Sequence, residues 1–247
     1  MVKCMSEKEI TQKNNDDSET ELIFDALSES LTDILEMRDG LTGGHSKRVT
    51  EYACILAEAL KSGNAFPEID DSFIRDLRRS TVIHDIGKVG IRDSVLKGSK
   101  KFNPEDDADT IMYLHRHTTF GAEVLDRAIK TIGHETFLNF AREICLYHHE
   151  KWDGSGYPEG LKGTAIPLSA RIVAVADVYD ALTSARTYKA PLSHEETLDI
   201  MKKEKGVSFQ PEILDVFLEN EGKIEKALTG FEKERLKAVL LSKEEMY

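Results

Sequence analysis

The spacing of the apolar residues is the feature of this sequence that most restricts its fold. In five segments these residues recur every three or four positions, which is the pattern of a helix with one face buried in a core. No alternating pattern joined by a two-residue turn indicates a β-hairpin. The five segments lie at about 22–35, 49–60, 73–82, 137–148 and 171–182. The sequence therefore predicts an all-α fold.

The chain divides into four stretches by composition. Residues 1–20 are polar and have no apolar period, so we expect a flexible tail there. Residues 21–39 predict an amphipathic lead helix that ends at Asp39-Gly40. We expect the principal domain over residues 40–220 and a charged helical extension over 221–247. The apolar face of the lead helix fits pairing with a second copy of the chain as well as core packing, so a homodimer stays open.

Charge and hydropathy exclude several classes of protein. The 33 Lys and Arg residues stand against 45 Asp and Glu residues, a net charge of −12, and an acidic surface repels phosphate backbones. We therefore expect no nucleic-acid polymer as a partner. No apolar run approaches the roughly 18 residues that cross a bilayer, and the N-terminus lacks an apolar leader. These features predict a cytoplasmic protein without membrane insertion.

Two adjacent pairs of metal-ligating residues lie where apolar runs end. His84-Asp85 follows one such run, and His148-His149 follows another and leads into a glycine-rich loop. His and Asp both ligate divalent metals, and adjacent residues can offer two ligands to one centre. A single His-Asp pair would also arise from a packed histidine beside a helix-end aspartate. Two such pairs favour a binuclear metal centre.

The residues around both pairs resemble the motifs of the HD-GYP family. The sequence HDIGK at 84–88 resembles HDxGK, and HHEKWDGSGYPEGL at 148–161 resembles HHExxDGxGYPxGL. The likeness covers about residues 40–218. It implies an HD-domain helical bundle with a GYP-containing loop at Gly156, Tyr157 and Pro158. It also implies hydrolysis of the bacterial messenger cyclic di-GMP to the linear dinucleotide or to GMP, and docking of a GGDEF-type cyclase domain on the GYP loop.

The resemblance carries seven metal ligands over to this sequence. The family's intervening histidine precedes a glycine by four positions, so His117 before Gly121 fits and His115 does not. The family's centres use the HD aspartate as a bridge, which implies that Asp85 bridges two ions. The implied ligands are His45, His84, Asp85, His117, His148, His149 and Asp177. The remaining histidines, His115, His134 and His194, are interpreted as surface or loop residues.

Leu41 is a departure from the three-metal members of the family. Those members carry a glutamate four residues before the first histidine, and a leucine cannot ligate a metal. We therefore expect two divalent ions rather than three. Iron and manganese are the family's metals, and imidazole and carboxylate ligands suit both, so the choice between them stays open.

Asp85 and Lys88 are the predicted catalytic residues, and four side chains are predicted to bind the substrate. The resemblance sets Lys88 beside the scissile phosphate, Asp180 near a guanine base, and Arg186 and Lys189 near the phosphates or a base. Structural salt bridges are an equal alternative for the last three. Metal ions and a few fixed cations can attract a dianionic messenger to one cleft of an acidic protein.

Two other functions stay open on the sequence alone. Centres of this kind also hydrolyse other cyclic dinucleotides and nucleotides, which would keep the enzyme class and change the substrate. A cyclic di-GMP receptor or interaction module with low turnover is an alternative from a different class. The intact paired ligands favour an enzyme, whereas Leu41 leaves the receptor open.

Overall fold

The computed structural model describes residues 7–39, 43–96, 107–184 and 190–244. These residues form α-helices joined by short loops, with 3-10 helices at Ile86–Gly90 and Gly163–Ala165. The α-helices are α1 (Glu7–Asp39), α2 (His45–Ser62), α3 (Asp71–Thr81), α4 (Asp93–Leu96), α5 (Ala108–His115), α6 (His117–Ile132), α7 (Phe137–Tyr147), α8 (Leu168–Thr183), α9 (His194–Lys203), α10 (Pro211–Glu219) and α11 (Glu221–Glu244).

The helical periods of the sequence and the observed helices agree, so the predicted all-α fold is confirmed. The predicted segments at 49–60, 73–82, 137–148 and 171–182 coincide with α2, α3, α7 and α8. Among the described residues no helix combines the length and apolarity needed to cross a bilayer.

The N-terminal segment differs from expectation, because α1 begins at Glu7 and the predicted tail is helical over residues 7–20. Residues 7–39 contain neither glycine nor proline, so nothing in them ends a helix that is nucleated further along. Extending an existing helix adds one hydrogen bond per ordered residue and is easier than starting one. A missing apolar period therefore did not indicate the lack of a helix. Residues 1–6 lie outside the described residues.

The main core lies where α2 packs against α8. Tyr52 of α2 and Tyr179 of α8 are fully buried, with ring centroids 5.1 Å apart in a T-shaped pair. Apolar residues of α3, α7, α9, α10 and α11 also belong to this cluster. Because α8 is covered on several sides, it carries small and branched residues such as Val173, Val175 and Ala176. This packing brings the first turn of α2 beside the C-terminal half of α8.

The first turn of α2 is capped by a side chain from α1. Gly44, the residue before the helix, has a positive φ of 72° and offers no side chain to the free N–H groups. Glu36 supplies the acceptors instead, since its carboxylate accepts from the backbone N of His45 at 3.1 Å and from that of Ser46 at 2.7 Å. A carboxylate is also favoured there by the positive end of the helix dipole.

The end of α1 also binds the segment that follows α3. The Arg38 guanidinium donates to the carbonyl oxygens of Lys88, Val89 and Ile91 at 2.5–3.2 Å. Next to it, Asp39 pairs with the Lys88 ammonium at 2.9 Å. The last turns of α1 therefore contact two segments of the predicted site. One is the first turn of α2, which begins with His45, and the other is the segment 88–91, which follows His84-Asp85.

We predict that Glu36→Ala lowers the free energy of unfolding by about 1–3 kcal/mol, because two N–H groups in a buried region lose their acceptor. Chemical denaturation would measure the change. Glu29→Ala, on an exposed position of the same helix, is the matched control and should stay within about 0.5 kcal/mol of the unchanged protein. Equal losses in the two variants would contradict the capping role.

Candidate metal centre

Five segments of the chain bring the seven predicted ligands into one largely buried cluster. His45 begins α2, His117 begins α6, and the pair His148-His149 follows the end of α7. His84-Asp85 lies between α3 and the 3-10 helix, and Asp177 lies in α8. The exposed fractions of His45, His84, His117 and His148 are 5%, 1%, 3% and 2%. Residues far apart in the sequence thus meet because helix ends converge.

Asp85 lies at the centre of this cluster, and its two oxygens face different histidines. Oδ1 is 3.5 Å from Nε2 of His117 and 3.9 Å from Nε2 of His148. Oδ2 is 3.5 Å from Nε2 of His84 and 3.8 Å from Nε2 of His45. A carboxylate between two sets of imidazoles has the geometry of a bridging ligand.

The donor atoms form two groups, each compact enough for one ion. Those of His45, His84 and Asp85 lie within 4.8 Å of one another, and so do those of His117, His148 and His149. Asp177 adjoins the first group, with Oδ1 3.4 Å from Nε2 of His45. Imidazole and carboxylate donors in these numbers suit divalent transition metals.

The hydrogen bonds of three histidines support this interpretation. Each donates from Nδ1 to a backbone carbonyl: His84 to Thr81 at 2.8 Å, His117 to Leu114 at 2.8 Å, and His148 to Ile144 at 2.9 Å. Their Nε2 atoms, and Oδ1 of Asp85, are buried without a hydrogen-bond partner among the described residues. Buried polar atoms are rarely left unpaired, so their convergence on one point fits divalent metal ions.

The electrostatics favour the ligating forms of three histidines and of Asp85, whereas burial of His45 is outweighed by the bond to Asp180, which raises the pKa of that imidazole. Burial, together with the neighbouring His84, lowers the pKa of His148 to about 3, and burial also lowers the pKa values of His117 and His149. Neutral imidazole is the form that binds a metal. Burial alone would raise the pKa of Asp85, but the Lys88 ammonium and the surrounding histidines hold it well below its usual range.

Asp180 lies against Nδ1 of His45, on the side of the ring opposite to the atom that faces Asp85. It is 1% exposed, and its Oδ2 is 2.8 Å from Nδ1 of His45. Arg48 donates to both of its oxygens, from Nε at 2.6 Å and from Nη2 at 3.0 Å. This position differs from the predicted contact with a guanine base, because the packing of α8 on α2 turns the carboxylate inward. The salt-bridge alternative is the one observed.

The Lys88 side chain is charged, and its ammonium lies between two carboxylates. Its Nζ is 2.7 Å from Oδ2 of Asp85 and 2.9 Å from Oδ2 of Asp39, and its side chain is 19% exposed. Burial lowers its pKa, but the charges of Asp85 and Asp39 more than compensate and raise it above its usual value. A fixed cation therefore borders the centre. Leu41, Arg186 and Lys189 lie outside the described residues.

The GYP loop folds back over the second group of ligands. The Tyr157 ring stacks on His115, with centroids 3.6 Å apart and planes 6° from parallel, and lies 4.9 Å from the His149 ring. Glu150, which is 3% exposed, accepts from the backbone N of Glu159 at 2.8 Å and of Leu161 at 3.1 Å. His115, interpreted from sequence as a surface or loop residue, is therefore a packing partner of this loop.

Close backbone contact explains one glycine of the loop. A Cβ atom at Gly156 would lie 2.3 Å from the backbone N of Lys151 and 2.5 Å from the Cα of Glu150. Only a residue without a side chain fits there, so the loop can return to the segment that carries His149. The sequence pattern at 148–161 thus has a steric basis.

Comparison with known proteins agrees with this geometry. The family model described as HD domain matches residues 29–213. A probable cyclic di-GMP phosphodiesterase of Vibrio cholerae is 41% identical over 222 residues, which cover 85% of this chain and 49% of the relative. A 3'3'-cGAMP-specific phosphodiesterase 2 of the same organism is 37% identical over 191 residues, covering 77% of this chain and 34% of that relative. The chain thus spans half or less of the length of these curated relatives.

Two solved structures share the fold. One is described as a cyclic GMP-AMP specific phosphodiesterase of Vibrio cholerae, with a TM-score of 0.52, 22% identity and coverage of 83% of this chain and 50% of that chain. The other is described as an HDG"Y"P protein of Bdellovibrio bacteriovorus, with a TM-score of 0.50, 20% identity and coverage of 70% and 50%. The resemblance to HD-GYP proteins is confirmed by these matches together. The chain therefore belongs to the HD domain family.

Proposed function

We propose that this chain is a metal-dependent phosphodiesterase that hydrolyses cyclic di-GMP to the linear dinucleotide, to GMP, or to both. The observation that carries the proposal is the convergence of buried, unpaired Nε2 atoms on the two oxygens of Asp85. Relatives named cyclic di-GMP phosphodiesterases support the choice of substrate. A cytoplasmic location belongs to the same proposal.

Two divalent ions, iron or manganese, are proposed for the two groups of donors. His45, His84 and Asp177 would hold one ion, and His117, His148 and His149 the other, with Asp85 shared between them. When bound, such ions acidify a water molecule and polarise a phosphate oxygen. A count of two is favoured because the described clusters number two and because Leu41 has no donor atom.

Lys88 is proposed to contact the scissile phosphate. Its ammonium already lies at the edge of the cluster, and a fixed cation there would stabilise negative charge as it develops on the phosphate. Asp39 anchors the same ammonium from the other side, which limits the positions it can take. Arg186 and Lys189 are proposed, on the resemblance alone, to bind the phosphates or a base.

A second candidate substrate is a mixed cyclic dinucleotide. The relative that is 37% identical is named as specific for 3'3'-cGAMP, and its similarity covers 77% of this chain. Docking of a GGDEF-type cyclase domain on the GYP loop rests on the resemblance. A homodimer through α1 is supported by its exposed apolar residues, among them Leu27 at 58% and Ile34 at 63% exposure.

The proposed hydrolysis is tested by incubating anaerobically purified protein with cyclic di-GMP and, separately, with 3'3'-cGAMP in the presence of Mn²⁺ or Fe²⁺. Chromatography should detect linear dinucleotide or GMP with the unchanged protein and none with Asp85→Asn. Binding of cyclic di-GMP without any product, in a sample whose metal content is verified, would contradict the proposed phosphodiesterase activity. That result would favour a cyclic di-GMP receptor.

Elemental analysis of the purified protein should find two iron or manganese ions per chain. Asp85→Asn should lose metal, because the bridging charge is removed, whereas Asp109→Asn at an exposed position should not. A reproducible count of three per chain would contradict the proposed stoichiometry.

Lys88→Met should lower kcat by about 10²–10³-fold, since a positioned cation beside the developing charge is lost. The metal content should stay at the level of the unchanged protein, because Lys88 donates no ligand. Lys202→Met, on the exposed face of α9, is the matched control. A rise in KM at unchanged kcat would assign Lys88 to substrate binding only.

A further inference from the structure

His45 lies between two carboxylates that come from the same helix. Asp180 Oδ2 is 2.8 Å from its Nδ1, and Asp177 Oδ1 is 3.4 Å from its Nε2. The two aspartates are three residues apart in α8 and would repel each other if both faced solvent. The His45 imidazole lies between the two carboxylates, so that Asp180 contacts its Nδ1 and Asp177 faces its Nε2.

We propose that Asp180, supported by Arg48, is a positioning residue that fixes the tautomer and ring orientation of His45 and thereby sets the metal affinity of the His45 position. The inference rests on the proposed metal centre and adds a residue that determines its metal affinity. It also replaces the predicted contact between Asp180 and a guanine base.

The location of His45 explains why a carboxylate is needed. His84, His117 and His148 each donate from Nδ1 to a carbonyl three or four residues earlier. His117 also begins a helix, but α5 precedes it directly and supplies the carbonyl. His45 instead follows Gly43 and Gly44, whose positive φ values break the helical turn that would offer one. Asp180 takes the place of that carbonyl from α8, and its charge makes the imidazole a stronger ligand than a neutral acceptor would.

Arg48 allows this carboxylate to stay charged in the interior. It lies three residues after His45, donates to both oxygens of Asp180, and donates from Nη1 to the Gly43 carbonyl at 2.9 Å. A buried carboxylate without such a partner would be strongly disfavoured. Burial raises the pKa of Asp180, but the bonds to His45 and Arg48 outweigh burial and lower it to about 2.

A positioning role and a base contact make different demands on Asp180. A carboxylate that binds a guanine base has to face the cleft, whereas Asp180 is 1% exposed and has both oxygens occupied. Loss of a base contact would raise KM for the dinucleotide and leave metal affinity unchanged. Loss of a positioning contact would weaken one metal position in the absence of any substrate.

The test is a titration of metal-stripped protein with Mn²⁺ against a competing fluorescent chelator. Asp180→Asn should raise one of the two Mn²⁺ dissociation constants by about 10–100-fold and leave the other within a factor of two or so. Asp199→Asn, on exposed α9, should change neither. An unchanged Mn²⁺ affinity in Asp180→Asn, accompanied by a higher KM, would overturn the inference in favour of the base contact.

A double-mutant cycle with His45 separates positioning from a general loss of structure. Asp180→Asn should produce no additional loss of Mn²⁺ affinity in a His45→Ala background, because the group through which it acts is gone. Additive losses would overturn the inference. If circular dichroism finds Asp180→Asn unfolded, Asp180→Leu combined with Arg48→Met replaces the ion pair by apolar side chains and should weaken the same position.

The same titration distinguishes failure of this inference from failure of the proposed function. If the unchanged protein binds no Mn²⁺, the metal centre is wrong and the inference falls with it. If the unchanged protein binds two Mn²⁺ ions and Asp180→Asn binds them equally well, only the role of Asp180 is wrong.

Discussion

Polar groups buried between packed helices have to find partners, and this constraint organises the cleft of the protein. Backbone carbonyls accept from three of the histidines, Glu36 accepts from the first turn of α2, and Arg48 neutralises Asp180. The buried ring nitrogens left without a partner among the described residues, Nε2 of His84, His117 and His148, all face Asp85. The outer bonds therefore determine which atoms face inward, and the chemistry of the cleft follows from the packing around it.

The features predicted correctly from sequence are those encoded locally. Apolar periodicity reports a buried helix face, so α2, α3, α7 and α8 could be predicted from their own residues. The paired candidate ligands could be recognised because each pair is contiguous, and their clustering is observed, while their binding of metal stays a prediction. The tertiary partners escaped prediction, since Glu36 and Asp39 read as ordinary acidic residues of a lead helix. Only the packing of α1 on α2 and on residues 88–91 gives them their roles.

Asp180 illustrates how a motif position can be matched from sequence while its tertiary contacts stay unknown. Its spacing from Asp177 placed it on the correct helix face, but a face can be presented to solvent, to a substrate or to another helix. The deciding factor is the fully buried contact of α8 with α2, which joins residues as far apart in the sequence as Tyr52 and Tyr179. His115 is a similar case, because its stacking on Tyr157 depends on how the loop after α7 returns.

A single helix, α1, contacts two of the segments from which the proposed site is built. This helix has 33 residues and is about 50 Å long. Glu36 and Asp39 are less than one turn apart near its C-terminal end, one bonded to the turn that begins with His45 and the other to Lys88. A sliding or rotation of the whole helix cannot disturb one of these bonds without disturbing the other. Displacement of this helix would therefore act on the turn that carries His45 and on the Lys88 ammonium in the same movement.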